Sequence, residues 1–404
     1  MSPPTTPAPQ RPRPAASPVA GTVSPPPRTP RFALLGHAAA LDGLRGLAVL
    51  LVLVLHFAGR YVLVGGWAGV DIFFCLSGFL ITALILDERR VHGRLHLGRF
   101  YARRACRLLP ALFLLLSAWT VLLLLFHDQQ WLATTPGSAG PGRLIDVPRA
   151  LASLGMTLAY LANWTVIAGT MEAPLAHLWS LAVEEQFYLV WPAMLLALLR
   201  LRGWLRLVVV GLLAAGSAAL PWLYWNGGAG SNRIYFGTDT RAVGLLAGAF
   251  AALVWHERHA LGRLSRYGAQ RALAGLAFVL AVAWSVGNGP VKSLVMPALL
   301  AVAVSQVVPY LAESRGRLSH LFQNRVLRWL GKRSYGLYLW QYVWATWTQR
   351  LPLWLGIPLG IAGALACTQL SWLLVESPAL RYGRRFRVTA APVPRHPAAL
   401  RAAA

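Results

Sequence analysis

His56 and Asp71 stand inside the almost wholly apolar stretch VLVLHFAGRYVLVGGWAGVDIFFCLSGFL, residues 52–80. Ionisable groups in hydrocarbon are costly, and those retained there mark a pathway, a relay or a site. An imidazole titrates near neutral pH and suits proton transfer. Arg45 precedes His56 by eleven positions. Eleven helical steps of about 100° bring the two side chains within roughly 20° of one face, some 16 Å apart along the axis. A guanidinium suits phosphate, and Arg103, Arg104 and Arg107 follow in YARRACRLLP. The separation matches the pantetheine arm that joins the phosphates of coenzyme A to its thioester. Together these residues describe a site for an acyl-CoA spanning half a membrane, with the four arginines on the phosphates and His56 at the thioester.

Other ionisable residues add to this set. Glu184 and Glu185 fall about two turns into an apolar segment at 177–199, and Asp239 begins another, at 236–255, that also contains Arg241. Glu184 shares a helix face with His177 and Tyr188, at offsets of seven and four. In the resulting scheme His56 is the general base toward an acceptor hydroxyl, or carries the acyl group itself. A carboxylate is expected to orient its ring; Asp71 and Glu184 both qualify by depth, and the choice stays open. Glu185, Tyr188, Asp239, Arg241 and His177 are candidates for the acceptor side. Plain structural roles compete: Asp42 as a helix cap, Glu185 as partner of a nearby arginine, Trp67 and Trp179 as interface anchors, the arginine cluster as ordinary loop charge. The co-location of these residues is what favours chemistry.

The elements that must hold them are membrane helices. Of 404 residues, 56% are hydrophobic and 13% charged, and apolar runs long enough to cross a bilayer recur along the chain. The fold expected is all-α and polytopic. Eleven apolar segments fall near 38–58, 67–86, 108–126, 150–168, 177–199, 204–225, 236–255, 272–287, 291–311, 334–349 and 352–375. Six basic clusters hold 30 of the 38 Lys and Arg, and all six share one side only if 150–168 does not cross. Basic loops mark the cytoplasmic face. The expectation is therefore ten spanning helices, a non-spanning or re-entrant segment at 150–168, and both termini cytosolic in a cell membrane. A net charge of +25 is explained by these loops, so no nucleic-acid partner is inferred. Cys75, Cys106 and Cys367 show no metal or disulfide spacing, and no metal site is expected. Proline-rich residues 1–36 and residues 388–404 read as disordered cytosolic tails around a membrane domain at 37–387.

LDGLRGLAVLLVLVLH, DIFFCLSGFLIT, FYARRACRLLP, HLWSLAVEEQFYLVWP, DTRAVGLLAGAF, LGKRSYGLYLWQ and VESPALR occur in that order. The ordered series, across residues 38–385, resembles the acyltransferase-3 family of integral-membrane acyltransferases. The resemblance implies ten membrane helices and acyl transfer from acyl-CoA, taken to be acetyl-CoA, with no permanently bound cofactor, to hydroxyls of glycans, glycolipids or macrolides in bacteria. Its helix-1 Arg and His fall on Arg45 and His56, its R-x-x-R pair on Arg104 and Arg107, and its acidic pair on Glu184 and Glu185. Many members carry a further SGNH hydrolase-like domain; this sequence shows no GDS-type serine block and resembles the stand-alone form. The rival expectation is a proton-coupled transporter or flippase of a glycolipid, which also uses intramembrane His, Asp and Arg; no internal repeat supports it. A homo-oligomer is left open.

Overall fold

A computed structural model describes residues 39–59, 61–127, 145–171, 175–261, 267–313 and 316–386. The tails at 1–36 and 388–404 lie outside the described residues. Among the described residues every regular element is helical. The order is α1 (Ala39–Ala58), α2 (Ala68–His92), α3 (Leu97–Phe126), α4 (Val147–Leu158), α5 (Ala162–Ile167), α6 (Trp179–Leu198), α7 (Gly203–Asn226), α8 (Ser231–Phe236) and α9 (Thr238–Leu261). It continues with α10 (Gly268–Ser285), α11 (Pro290–Leu294), α12 (Met296–Glu313), α13 (Arg317–Phe322), α14 (Arg325–Lys332), α15 (Ser334–Thr348), α16 (Leu353–Ser371) and α17 (Ser377–Gly383).

Eight helical stretches are long and apolar enough to cross a membrane: α1, α2, α3, α6, α7, α10, α12 and the run 353–386. The protein is thus an all-α, multi-pass membrane protein. Two more of the ten expected segments, α9 and α15, lie in the same bundle. α9 packs on α2 and α7, and its ends carry Asp239, Arg241 and Glu257; α15 packs on α16 and has only 15 residues. Apolar side chains point outward as well as inward. Leu212, Leu213, Trp222 and Leu223 are exposed along α7, the surface hydrocarbon requires. α2 is the most deeply buried of these eight stretches.

No helix within 150–168 is long enough to cross. α4 has 12 residues, about 18 Å of helix. It begins at an Asp146 cap whose carboxylate accepts from the Arg149 amide at 3.1 Å. It ends before Tyr160, whose φ of 56° is left-handed for a side chain with a Cβ. The helix breaks there before α5. Broken backbone within a bundle needs polar partners. Gln186 supplies them, its amide donating to the Tyr160 carbonyl at 2.7 Å and to Asn163 Oδ1 at 3.0 Å. Asn163, fully buried, donates to Phe236 O and Thr238 Oγ1.

Glycines set how the helices turn toward one another. A Cβ at Gly78 on α2 would strike the Leu245 carbonyl of α9, and one at Gly248 the Cys75 carbonyl. The two backbones therefore touch, as at small-residue seams in membranes. Asp71 lies seven residues before Gly78, and Arg241 seven before Gly248, so both fall on this seam. On α1, Gly43 and Gly46 meet the backbone of α13 and α14 in the same way. That contact fixes the rotation of α1, turning Arg45 and His56 away from it.

Candidate active site

Two cavities open near opposite ends of α1. The first, about 1240 Å³ with its mouth, is lined by Arg45, Arg104, Arg107, Ser77, Glu184 and Tyr188, and reaches Ser180 and Tyr338. It is less purely cationic than the sequence suggested. Arg45 pairs with Asp42 at 3.3 Å on its own helix. Arg104 is clamped by Glu185, with Nε 3.1 Å from each carboxylate oxygen and Nη2 2.5 Å from Oε1, and its guanidinium lies 3.1 Å over the Tyr188 ring. Glu184 accepts from Ser77 Oγ and Tyr188 Oη, each at 2.5 Å, with Arg104 at 3.7 Å. Among the described residues no carboxylate pairs with Arg107, so it is the cation this cavity leaves available.

The second cavity, about 1640 Å³ with its mouth, is lined by His56, Tyr61, Trp67, Asn288, Lys292 and Tyr342 among others. His56 Nδ1 lies 2.7 Å from Oε1 of Gln341, a fully buried side chain. The Gln341 amide nitrogen faces the Tyr338 carbonyl at 3.5 Å, which assigns the oxygen to the histidine. An acceptor at Nδ1 places the ring proton there and leaves Nε2 as the basic nitrogen. Tyr342 packs edge-on against the ring, centroids 5.0 Å apart.

An aromatic layer separates the cavities. Tyr338 lines the first and Tyr342, one turn along α15, lines the second. His177 lies against both, with ring centroids 5.6 and 4.8 Å away. Its Nε2 meets the Leu339 carbonyl at 3.1 Å, while Tyr338 bonds Ser180 Oγ at 2.5 Å and the His177 carbonyl at 2.8 Å.

Several expected positions are corrected. Neither Asp71 nor Glu184 orients His56; an amide does. Asp71 instead accepts from Arg241 Nη2 at 2.8 Å, in a pair with side-chain exposures of 2% and 1%. The reason is the α2–α9 seam, which faces these two residues together. Arg103 lines neither cavity: it turns to Glu88 at 2.8 Å and the Phe386 carbonyl at 2.9 Å. Glu185 serves Arg104, and Tyr188 borders the arginine cavity instead of the one at His56. Asp239 is held at a surface cluster by Arg233, at 2.7 and 2.9 Å, and by Tyr224 at 2.6 Å. His177 is part of the partition. Gln341, Lys292, Ser77 and Tyr338 were missed. Gln341 and Lys292 left a trace: an amide amid LYLWQYVW and a lone lysine beside an apolar run.

The bundle is that of a multi-pass membrane protein with an imidazole and an arginine on one helix, in cavities near its two ends. The chain belongs to the acyltransferase-3 family: that family's sequence model, described as an acyltransferase domain, matches residues 38–376. It is 33% identical over 383 residues to the peptidoglycan O-acetyltransferase OatA of Listeria monocytogenes, covering 88% of this chain and 58% of that protein. It is 34% identical over 371 residues to a putative peptidoglycan O-acetyltransferase, YrhL, of Bacillus subtilis, covering 86% and 56%. A putative O-acetyltransferase of Staphylococcus aureus is 29% identical over 376 residues, covering 87% and 59%. The chain therefore spans somewhat over half the length of these relatives. No solved structure matches it.

Proposed function

We propose that this chain is an O-acetyltransferase of a bacterial plasma membrane, with both termini cytosolic, moving an acetyl group from acetyl-CoA to a hydroxyl of a carbohydrate. The observation that carries the reading is the placement of His56. Its Nδ1 is engaged by Gln341, its Nε2 is the basic nitrogen, and it lines one cavity while Arg45, on the same helix, lines the other. Membership of an acyltransferase family and similarity to O-acetyltransferases named for peptidoglycan support the same class and acceptor chemistry.

In this scheme Arg45 and Arg107 hold the coenzyme phosphates from the cytosolic side. Arg104, fixed by Glu185 and Tyr188, shapes the wall. The pantetheine arm passes the layer of His177, Tyr338 and Tyr342 to bring the thioester to His56. His56 Nε2 removes the proton of the acceptor hydroxyl as its oxygen attacks the thioester carbonyl. The C–S bond breaks, and the thiolate leaves with the proton carried by His56. Ester and free thiol are the products. The test is incubation of the full chain in nanodiscs with labelled acetyl-CoA and cell-wall glycan, read by mass spectrometry. Wild type should yield acetylated sugar and His56→Ala none. Equal turnover by His56→Ala, or glycolipid movement without any acyl product, would overturn the reading.

A further inference from the structure

Lys292 is unlike the other cations that border the cavities. Arg45 has Asp42 and Arg104 has Glu185. Lys292, on α11 outside the membrane spans, lines the His56 cavity, and among the described residues no carboxylate lies at ion-pair distance from it. Among the described residues its hydrogen-bond partner is neutral, Asn288 Oδ1 at 2.9 Å, which takes one of its three donors. The rest of its surroundings are ring faces: Nζ lies 4.3 Å from the Tyr235 centroid and 5.6 Å from that of Trp67. The nearby carboxylate that could neutralise it, Asp71, is bonded to Arg241. Asp71 cancels one of the two cations, so the wall keeps one net positive charge. Burial pushes the Lys292 ammonium down to about 8, with Arg241 adding to the fall and Asp71 opposing it. A half-buried ammonium held by aromatic faces and left without a counter-ion is a site for an anion.

We propose that Lys292 reads an anionic group, carboxylate or phosphate, on the saccharide acceptor, docking it beside His56 with the sugar against Trp67 and Tyr61. The assignment deepens the proposed function and rests on it for the word acceptor. Apolar C–H faces of a sugar suit the aromatic side chains lining this cavity, and Asn288 and Gln349 add amides for its hydroxyls. An acceptor bearing an ammonium would meet the uncancelled charge and be disfavoured.

The test is equilibrium binding to the full chain in nanodiscs, with no donor present. The probes are N-acetylmuramic acid, the same sugar with its carboxylate capped as an amide, and its neutral and phosphate-bearing glucosamine counterparts. A charge-assisted bond is worth about 1.5–3 kcal/mol, which is roughly 10- to 100-fold in affinity. The wild type should prefer an anionic member over its neutral twin by about that ratio. Whichever of the two pairs shows it identifies carboxylate or phosphate. Lys292→Gln should collapse the ratio toward one, and Lys292→Arg should keep it. With wild type the preference should weaken between pH 7 and 9 as the ammonium is lost, the groups facing it being Arg241, Asp71, Tyr235 and His56; with Lys292→Arg it should persist. No preference in either pair, or one unchanged in folded Lys292→Gln, would overturn the proposal. Charge-selective binding through Lys292 without acetyl transfer would leave this inference standing and remove the catalytic reading. Transfer without charge selectivity would do the reverse.

Discussion

The sharpest consequence of the site concerns Gln341, which no charge marks. Among the described residues its Oε1 is the side-chain hydrogen-bond partner of His56, at 2.7 Å, and it is itself fully buried. Replace it by leucine, of similar bulk. The Nδ1–H then loses its side-chain acceptor, in a site where an unpaired donor costs about 1–3 kcal/mol. The ring escapes that cost by carrying its proton on Nε2, and an Nε2–H cannot take the proton of a hydroxyl. The fraction of enzyme in the working tautomer falls accordingly. A loss of about 1.4–2.7 kcal/mol in transition-state stabilisation means kcat lower by roughly 10- to 100-fold. The donor KM should hold, because Arg45 and Arg107 lie in the other cavity. Gln341→Glu keeps an acceptor at the same reach and should retain more activity than Gln341→Leu. The assay is steady-state acetyl transfer in nanodiscs with each substrate varied in turn. Transfer by Gln341→Leu within about twofold of wild type would show that the amide does not select the tautomer, and the base assignment would lose its geometric support.

Arg107→Ala should raise the acetyl-CoA KM by about 10- to 100-fold with a smaller change in kcat, whereas Arg103→Ala, whose side chain serves Glu88, should leave it within about twofold. Equal effects of the two would mean that general basicity, not the cavity, binds the donor. Asp71→Ala strands the Arg241 guanidinium in the bundle and should cost about 3–5 kcal/mol, seen as a much lower melting temperature, while Asp71→Asn with Arg241→Gln should recover part of it. An unchanged melting temperature for Asp71→Ala would sink the account of that pair. Single cysteines at Arg202 and Arg384, in a background without Cys75, Cys106 and Cys367, should resist an impermeant thiol reagent in intact cells and react after lysis; labelling in intact cells would reverse the topology.

What could be read in the sequence follows from what hydrocarbon demands. Apolar length predicted the long helices, and basic clusters singled out 150–168 as the segment that does not cross. Asn163 inside it was the local clue, and it proves to hydrogen-bond across the break at Tyr160. Arg45 and His56 were placed on α1 with a common direction by helical period alone. Partners across helices were not legible. Gln341 and His56 are 285 residues apart, and which side chain His56 meets depends on how α1 and α15 are rotated. That rotation is set by backbone contacts at glycines such as Gly43, Gly46 and Gly78, which sequence shows as small residues but not as surfaces. The same ignorance sent Asp71 to the wrong partner. Depth along the bundle put it near His56, while the seam with α9 faces it to Arg241.

The ion pairs then show where binding is concentrated. A charge inside or beside a bilayer is tolerated when matched, and this bundle pairs several of its arginines with carboxylates: Arg241 with Asp71, Arg104 with Glu185, Arg103 with Glu88, Arg206 with Glu257, Arg233 with Asp239. Those pairs fix helices and leave little field for a substrate. Of the four Arg and Lys that line the two cavities, Arg45 and Arg104 have carboxylates on the protein, and Arg107 and Lys292 do not among the described residues. One unmatched cation therefore stands in each cavity, on either side of the layer formed by His177, Tyr338 and Tyr342. A donor whose phosphates satisfy Arg107 and an acceptor whose anion satisfies Lys292 would each complete a charge balance that the protein leaves open. They would do so from opposite ends of α1, with His56 on the acceptor's side of the layer. On this account the thioester meets the base only when its arm has passed Tyr338.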